Sequence, residues 1–287
     1  MQGPLILDRY RPIEVKGEGG SGKVEICWDT RIQRRVAIKR MPISSEWANG
    51  SIPGLAEART GAMLSRPSIV SVYDFDTVDN EAFLIMEAIE GPSLAQIIDD
   101  TPPATFDLDI AAAIVLAVGD AIEFAHENQV LHLDIKPDNI LVNRNGACKV
   151  SDFGVSELAD AQGFRKASGG TIGYMPPEQM NGHELDERTD EFALAAVTYE
   201  ILTGKRPFAA RSLDASAKLI QKFDIAPASS LRTDLDPGID SVLFTALSPD
   251  PDDRYDSVEE FLAALMPYLG NPARGSRRLR EIVQVDD

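Results

Sequence analysis

Apolar and polar residues alternate in short segments in the chain up to residue 90, a pattern typical of β-strands. The alternation predicts strands around Ile13 and Val15 and at residues 24–26, 35–39, 69–75 and 82–86. Between the third and fourth segments, Leu55, Ala58 and Ala62 recur at helical spacing and predict a helix that Pro67 closes. This part of the chain is therefore predicted to be rich in strands, with one main helix.

Beyond Gly91 the pattern becomes helical. Residues 108–128 and 191–202 predict two long, mostly apolar helices, and Gly204 ends the second. Two short β-like segments lie between these helices, at residues 140–142 and 148–150.

The last part of the chain contains a helix start signal and then a charged segment. Ser257 and Glu260 have the spacing of a capping box ahead of the apolar residue Phe261. Residues 271–287 are rich in charge and predict a tail outside the core.

Composition favours a globular protein in a reducing compartment. The 287 residues are 44% hydrophobic and 26% charged, which is ordinary for globular chains. No segment of the sequence is apolar for long enough to span a bilayer, and the N-terminus lacks the pattern of a secretion signal. Cys27 and Cys148 lie far apart and belong to no metal-binding motif, so we expect two reduced thiols and a cytoplasmic location.

The charge balance narrows the choice of partners. Acidic residues outnumber basic ones by 46 to 28, which gives a formal net charge of −18. Such a charge should repel nucleic acid and anionic membrane surfaces, and we expect no nucleic-acid partner and no membrane span. Contact of the basic C-terminal residues with a membrane is left open as an alternative.

The glycine-rich segment GEGGSGKV at residues 17–24 fits three phosphate-binding patterns. A Walker A loop needs Ser or Thr after its lysine, and here Val24 follows Lys23. That loop and the dinucleotide fingerprint both need a helix next, whereas residues 24–28 are rich in β-formers. A hairpin whose backbone amides face phosphates is the remaining functional reading, and on its own this motif is a weak signal beside a plain surface turn.

Four further motifs follow in order and identify the family. They are VAIK at residues 36–39, HLD at 132–134 with Asn139 five residues later, DFG at 152–154, and MPPE at 175–178. With these motifs the sequence resembles the eukaryotic-type Ser/Thr protein kinases, most closely the bacterial members. The resemblance covers about residues 9–269 and makes the glycine segment a lid over ATP.

The resemblance implies an α+β, bilobal protein-kinase fold. It implies a small β-rich N-lobe with one main helix at residues 1–87 and a larger, mostly helical C-lobe at 88–269. Residues 270–287 would form a charged C-terminal tail. A homodimer through the N-lobe is a further expectation from bacterial relatives.

The resemblance also implies the catalytic roles. Lys39 would contact the α- and β-phosphates and Glu57 would hold Lys39, while Asp134 would accept or orient the substrate hydroxyl proton. Lys136 would lie near the γ-phosphate. The implied metal ligands for Mg²⁺, with Mn²⁺ as the alternative ion, are Asp152 and Asn139.

The ATP-binding residues are carried over from the same family. Met86 would set the depth of the pocket, and the backbone of the hinge from Glu87 to Ile89 would hydrogen-bond adenine. The complete implied set is Gly17, Gly19, Gly22, Val24, Ala37, Lys39, Met86, Glu87, Ile89 and Leu141.

The catalytic loop departs from the usual family pattern at one point. Leu133 stands where most relatives carry the arginine that meets an activating phosphate, so we expect activity to depend little on phosphorylation of Ser156 or Ser168. Thr171 would shape the hydroxyl-acceptor site.

Two structural roles come with the resemblance. Glu178 would pair with Arg254, and Asp190 would hold the backbone of the catalytic loop.

Gly61 is a second departure from the family pattern. A larger apolar residue that contacts Phe153 is common at this position, so the sequence favours a helix that is mobile until ATP or a partner binds.

The motifs together predict a protein kinase that transfers the ATP γ-phosphoryl group to Ser or Thr hydroxyls of proteins, itself included, in bacterial signalling. The alternative is a pseudokinase, an ATP-binding scaffold, although Lys39, Asp134 and Asp152 are all retained. A small-molecule kinase is a third reading. The full segment from Asp152 to Glu178 favours a polypeptide substrate over that one.

Overall fold

A computed structural model describes residues 4–19, 22–43, 52, 54–100, 105–153 and 173–284. Its first part is one antiparallel sheet with strand order β1-β2-β3-β5-β4, accompanied by one helix. These elements are β1 Tyr10–Gly19, β2 Gly22–Asp29, β3 Arg34–Pro42, α1 Leu55–Met63, β4 Val72–Val78 and β5 Glu81–Glu87.

The second part is mostly helical and contains one small hairpin. Its helices are α2 Leu94–Asp100, α3 Leu108–Glu127, α4 Pro177–Asn181, α5 Glu187–Thr203, α6 Leu213–Lys222, α7 Ala228–Leu231, α8 Gly238–Ala246, α9 Val258–Leu265 and α10 Pro272–Gln284. The hairpin consists of β6 Ile140–Val142 and β7 Cys148–Val150. We call the sheet with α1 the N-lobe and the part from α2 onward the C-lobe, and the predicted α+β bilobal fold is confirmed.

Two predicted strand and helix bounds shift. Strand β4 begins at Val72 rather than residue 69, because Ile69 forms only an isolated bridge with Val150 of β7. Helix α1 ends at Met63, before Pro67, because Leu64 already has an extended backbone.

Gly61 packs against β4 rather than Phe153. A Cβ on Gly61 would lie 2.3 Å from Cγ2 of Val72, so α1 approaches the sheet at a distance that only glycine allows. This close contact gives a packing reason for glycine at position 61. The mobility of α1 before ATP or a partner binds stays a prediction.

The C-lobe core surrounds α3 and α5. Helix α5 is buried along most of its length, and it begins four residues before the apolar segment because Asp186 caps it. Gly204 ends it in a left-handed conformation, as predicted.

The start of α9 follows the predicted cap only in part. Ser257 accepts a hydrogen bond from the Glu260 amide at 3.2 Å, whereas the Glu260 carboxylate returns to the amide of Asp256 instead of Ser257.

The prediction of a C-terminal tail outside the core is wrong for residues 272–284. They form α10, which packs on α3 and buries Gly275, Leu279 and Val283. These residues are four positions apart and share one face of the helix, so an apolar stripe exists within a charged composition.

Both cysteines are buried and free, as expected. Burial raises the pKa of the Cys27 and Cys148 thiols to about 12. Among the described helices, none has the length and apolar character needed to cross a membrane.

Candidate functional site

The glycine-rich segment is a hairpin between β1 and β2. Gly17 pairs with Val24 and Gly19 with Gly22, while residues 20 and 21 lie outside the described residues. Gly22 has φ +123°, and a Cβ there would lie 2.2 Å from the Arg40 carbonyl oxygen. A strand follows the glycines, so the helix that a Walker A or dinucleotide site requires is not at this position.

The register of the sheet places the implied adenine residues of β2, β3 and β5 on one face. Val24 pairs with Lys39, and Ala37 pairs with Met86. Paired residues, and residues two apart on one strand, project to the same side. Leu141 of β6 is half-buried and bridges to Ser93.

Lys39 lies between two carboxylates, and we call Lys39, Glu57 and Asp152 the cleft triad. Lys39 Nζ is 2.6 Å from Asp152 Oδ1 and 3.1 Å from Glu57 Oε2. Glu57 comes from α1, so the predicted lysine–glutamate pair is present. The triad joins the sheet, the N-lobe helix and the segment after β7.

The two carboxylates of the cleft triad differ in acidity. Burial raises the pKa of Glu57 to about 7, against the attraction of Lys39. For Asp152, burial opposes ionisation, but the Lys39 charge and hydrogen bonds from Lys39 and Ser151 lower the pKa to about 2. Asp152 is therefore ionised at neutral pH, whereas Glu57, whose pKa lies near 7, is ionised only in part.

Asp152 is held in an uncommon backbone conformation. Its φ is +64°, in the left-handed region. The preceding Ser151 donates from Oγ to Asp152 Oδ2 at 2.9 Å. The following Phe153 is buried with its ring edge-on to His132, with 4.5 Å between centroids. These contacts fix the direction of the carboxylate.

The catalytic-loop residues form a second polar group. Asp134 Oδ2 accepts hydrogen bonds from Lys136 Nζ at 2.6 Å and from Asn139 Nδ2 at 3.0 Å. Asn139 Nδ2 also donates to the Asp134 carbonyl at 2.8 Å. The structure thus brings these three predicted residues together around one carboxylate.

Asp190 holds the loop from below, as predicted. Its carboxylate accepts from the amides of His132 at 2.8 Å and Leu133 at 2.7 Å, and His126 Nε2 lies 2.8 Å away. Leu133 has φ +62°, and its carbonyl accepts from Gln179 Nε2. The loop is therefore fixed through the main chain on both sides of position 133.

Glu178 and Arg254 form the predicted buried ion pair. The two guanidinium nitrogens of Arg254 lie 2.7 and 2.9 Å from the Glu178 carboxylate oxygens. Arg254 also donates to the Arg188 and Ser248 carbonyls. This pair braces the C-lobe away from the cleft.

One contact at the hinge was missed by the sequence analysis. The Glu87 carboxylate accepts from Lys149 Nζ at 2.9 Å and from the Ser71 amide at 3.2 Å. The Glu87 amide itself donates to the Ser71 carbonyl at 2.8 Å. No local motif contains Lys149 and Glu87 together, because they are 62 residues apart and meet only in the folded chain.

The donor set fits a hard divalent cation that arrives with phosphate. Asp152 provides carboxylate oxygen and Asn139 provides amide oxygen. Ser151 connects the two residues, since its amide donates to the Asn139 carbonyl at 2.9 Å and its hydroxyl to Asp152. Phosphate and water would supply the other oxygens such an ion needs.

Several predicted residues lie outside the described part of the chain. They are Gly154 of the DFG motif and the activation-segment residues Ser156, Ser168 and Thr171.

Comparison with known proteins gives consistent matches. The protein kinase domain family model matches residues 10–265. Serine/threonine-protein kinase PknB of Mycolicibacterium smegmatis is 34% identical over 271 residues, covering 91% of this chain and 43% of that protein. Probable serine/threonine-protein kinase PknB of Corynebacterium glutamicum is 35% identical, with 91% and 42% covered. This chain thus spans less than half the length of these two curated relatives.

A solved structure agrees with this match. The crystal structure of the Mycobacterium tuberculosis PknI kinase domain has a TM-score of 0.71 and 26% identity, covering 90% of this chain and 96% of that one.

Proposed function

This chain belongs to the protein kinase family, and from that premise we propose that it transfers the γ-phosphoryl group of ATP to Ser or Thr hydroxyls of proteins. The observation that carries the proposal is the arrangement of Lys39, Asp152, Asp134 and Asn139. The first two are in direct contact, and so are the last two. Phosphoryl transfer requires such an arrangement, since the protein chiefly positions oxygens and stabilises charge.

Lys39 supplies the fixed cation for the α- and β-phosphates. Its contacts with Asp152 and Glu57 outweigh burial and raise the pKa of Lys39, so the ammonium stays charged in the cleft. Glu57 holds Lys39 from the α1 side, which leaves Asp152 as the partner that phosphate and metal would engage.

Asp134 orients the acceptor hydroxyl and receives its proton. The hydrogen bonds from Lys136 and Asn139 fix the plane of the Asp134 carboxylate before substrate binds. Lys136 is then close enough to stabilise charge that develops on the γ-phosphoryl group.

We propose Mg²⁺ as the metal. Bound to Asp152 and Asn139, it would neutralise phosphate charge during transfer. The low pKa of Asp152 keeps that side chain ready as an anionic ligand at neutral pH.

The adenine ring would lie between the N-lobe sheet and β6. Val24, Ala37 and Met86 are on one face of the sheet, and Leu141 lies on the C-lobe side. Because the Glu87 amide is already bonded to Ser71, the adenine contact from Glu87 falls to its carbonyl oxygen.

One regulatory feature follows from the same proposal. Leu133 has no charged group for a phosphate, so turnover should persist after phosphatase treatment that removes phosphate from Ser156 and Ser168. Loss of turnover under that treatment would contradict this part.

The cellular setting is also a proposal. We propose autophosphorylation and a role in bacterial signalling within the cytoplasm, with Thr171 shaping the acceptor site and a homodimer through the N-lobe. Sedimentation of the purified chain at increasing concentration tests the dimer.

The test is incubation with Mg²⁺ and labelled ATP, followed by mass spectrometry of the products. Wild type should phosphorylate itself or a Ser/Thr-containing protein, and Asp134→Asn should lose that transfer while still binding nucleotide. Asp253→Asn, at an exposed position outside the cleft, is the matched control and should retain transfer. If all three proteins bind ATP and none transfers phosphate, the chain is an ATP-binding scaffold and the proposal is wrong.

A further inference from the structure

The turn of the β6–β7 hairpin meets the C-terminal helix α10 backbone to backbone. Gly146 lies in this turn with φ +77°, and a Cβ there would lie 1.9 Å from the Ser276 carbonyl oxygen. It would also lie 2.7 Å from the Arg280 amide nitrogen. Both contacted atoms belong to α10, so the absence of a side chain at 146 is what lets the hairpin and helix touch.

Helix α10 is also fixed by α3, through the adjacent face that carries Gly275. A Cβ on Gly275 would lie 1.9 Å from the Asp109 carbonyl oxygen, so these two backbones are also in close contact. Leu279 and Val283 are buried in the C-lobe core. The helix therefore carries its contact with the hairpin on a rigid support.

The two strands of the hairpin lead to the proposed metal residues. Asn139 directly precedes β6, and Asp152 follows β7 by two residues. Ser151 ties these ends to each other by its bonds to the Asn139 carbonyl and to Asp152. A displacement of the hairpin would therefore move both proposed ligands.

The same hairpin supports residues 91–93, which lie just after the hinge. The Val142 amide donates to the Pro92 carbonyl at 2.9 Å. Gly91 has φ +155°, and a Cβ there would lie 2.0 Å from the Val142 carbonyl oxygen. Leu141, the proposed floor of the adenine site, bridges to Ser93. The hairpin thus connects α10 to the nucleotide site as well as to the metal residues.

We propose that α10 is a positioning element of the phosphoryl-transfer site, acting through the contact of Gly146 with the backbone of Ser276 and Arg280. The inference rests on the proposed function. Helix α10 begins beyond residue 265, where the family match ends, so this support is additional to the matched domain.

Hydrogen exchange of the full chain tests the positioning directly, because it needs no catalytic turnover. The variant Gly146→Asn introduces a Cβ but tolerates the left-handed backbone, so it isolates the contact with α10 from backbone strain. Leu279→Ala loosens the same docking from the helix side. Amides of residues 139–152 should exchange about tenfold faster in both variants, as expected when a packed contact is lost.

Arg277→Ala is the matched control, since Arg277 is exposed on the same helix. It should leave exchange in the hairpin unchanged. Circular dichroism checks that each variant is folded, and if Gly146→Asn fails to fold, Leu279→Ala carries the test alone.

Steady-state kinetics then separates positioning from general stability. Both docking variants should raise the KM for ATP and the Mg²⁺ concentration needed for half-maximal activity by about tenfold, at a temperature where they remain folded. Exchange and kinetics equal to those of wild type in both variants would overturn the inference. Faster exchange in chains that show no turnover at all, wild type included, would instead contradict the proposed function and leave the contact standing.

Discussion

The cleft triad and the Glu178–Arg254 pair are both buried, charged groups, but they differ in the ratio of acidic to basic side chains. In the pair, one guanidinium meets one carboxylate by two hydrogen bonds, and three backbone carbonyls accept further hydrogen bonds from Arg254. In the triad, a single lysine serves two carboxylates. The pair is complete within the chain, whereas the triad has one acidic group more than it has cations.

This difference separates a structural charge group from one suited to bind a ligand. A buried ion pair with matched charges fixes geometry, and removing either partner leaves an unpaired charge. A cluster with more acidic groups than cations can bind an added cation, such as the metal ion that accompanies a nucleotide. The same residue types therefore serve different ends, according to whether their charges are matched inside the protein.

The sharpest test of this contrast is Lys39→Met. The variant should remain folded, because Glu57 can take up a proton at a pH near 7. Phosphoryl transfer should fall by about 10³-fold or more, since a fixed charge on the phosphates is lost. Initial rates with labelled ATP measure it, and Lys222→Met, at an exposed position, is the control. Wild-type rates in Lys39→Met would show that phosphoryl transfer does not depend on the charge of the cleft triad.

The converse substitution, Glu178→Gln, should affect folding first. It leaves Arg254 buried beside a neutral amide, and breaking a buried pair in this way costs about 3–5 kcal/mol. Chemical denaturation gives the free energy of unfolding. Gln substitution at Asp252, which pairs with Arg188 at an exposed site, should change it far less. Equal effects of the two substitutions would mean that the pair is no brace.

Gly61→Ala tests whether the triad depends on close packing of α1. The new methyl would contact Val72 and push α1 from β4, at a cost of about 2 kcal/mol for overpacking. Because Glu57 is on the same helix, activity should fall along with the melting temperature. Ala62→Ser, at the exposed neighbouring position, is the control. Unchanged melting and unchanged activity would contradict the packing seen at Gly61.

The last prediction concerns the pH dependence of stability at Glu191, which is buried in α5. Its Oε2 has no hydrogen-bond partner among the described residues, and burial raises its pKa to about 8. Between about pH 4.5 and pH 8 the unfolded chain releases a proton that the folded chain keeps, so the free energy of unfolding falls as pH rises. Glu191→Gln lacks this loss.

The difference in the free energy of unfolding between Glu191→Gln and wild type should depend on pH. The variant should resemble wild type near pH 4.5 and become increasingly more stable than wild type as pH rises to 9. Melting temperatures across this range measure the difference. A gap that is largest at low pH would show that the Glu191 carboxyl is ionised in the folded state.

Motifs and periodicity predicted the fold and the charge clusters because strands, helices and family motifs are each visible in short stretches of sequence. The strands around Val24 and Lys39 follow from alternation, and the pairing of Lys39 with Glu57 follows from two motifs of known relation. The close contact of Gly61 with Val72 could not be predicted, because a glycine in a helical segment does not indicate which residue packs against it. Helix α10 was missed because four arginines in its sequence outweigh the apolar spacing of Leu279 and Val283.

The hydrogen bond between Asp190 and the main chain at position 133 has an evolutionary consequence. Asp190 accepts a hydrogen bond from the amide of Leu133, and this contact does not involve the Leu133 side chain. The identity of that side chain can therefore change in descendants without displacing Asp134 next to it. A different side chain at position 133 could therefore be selected while the hydrogen bond from its amide to Asp190 is kept.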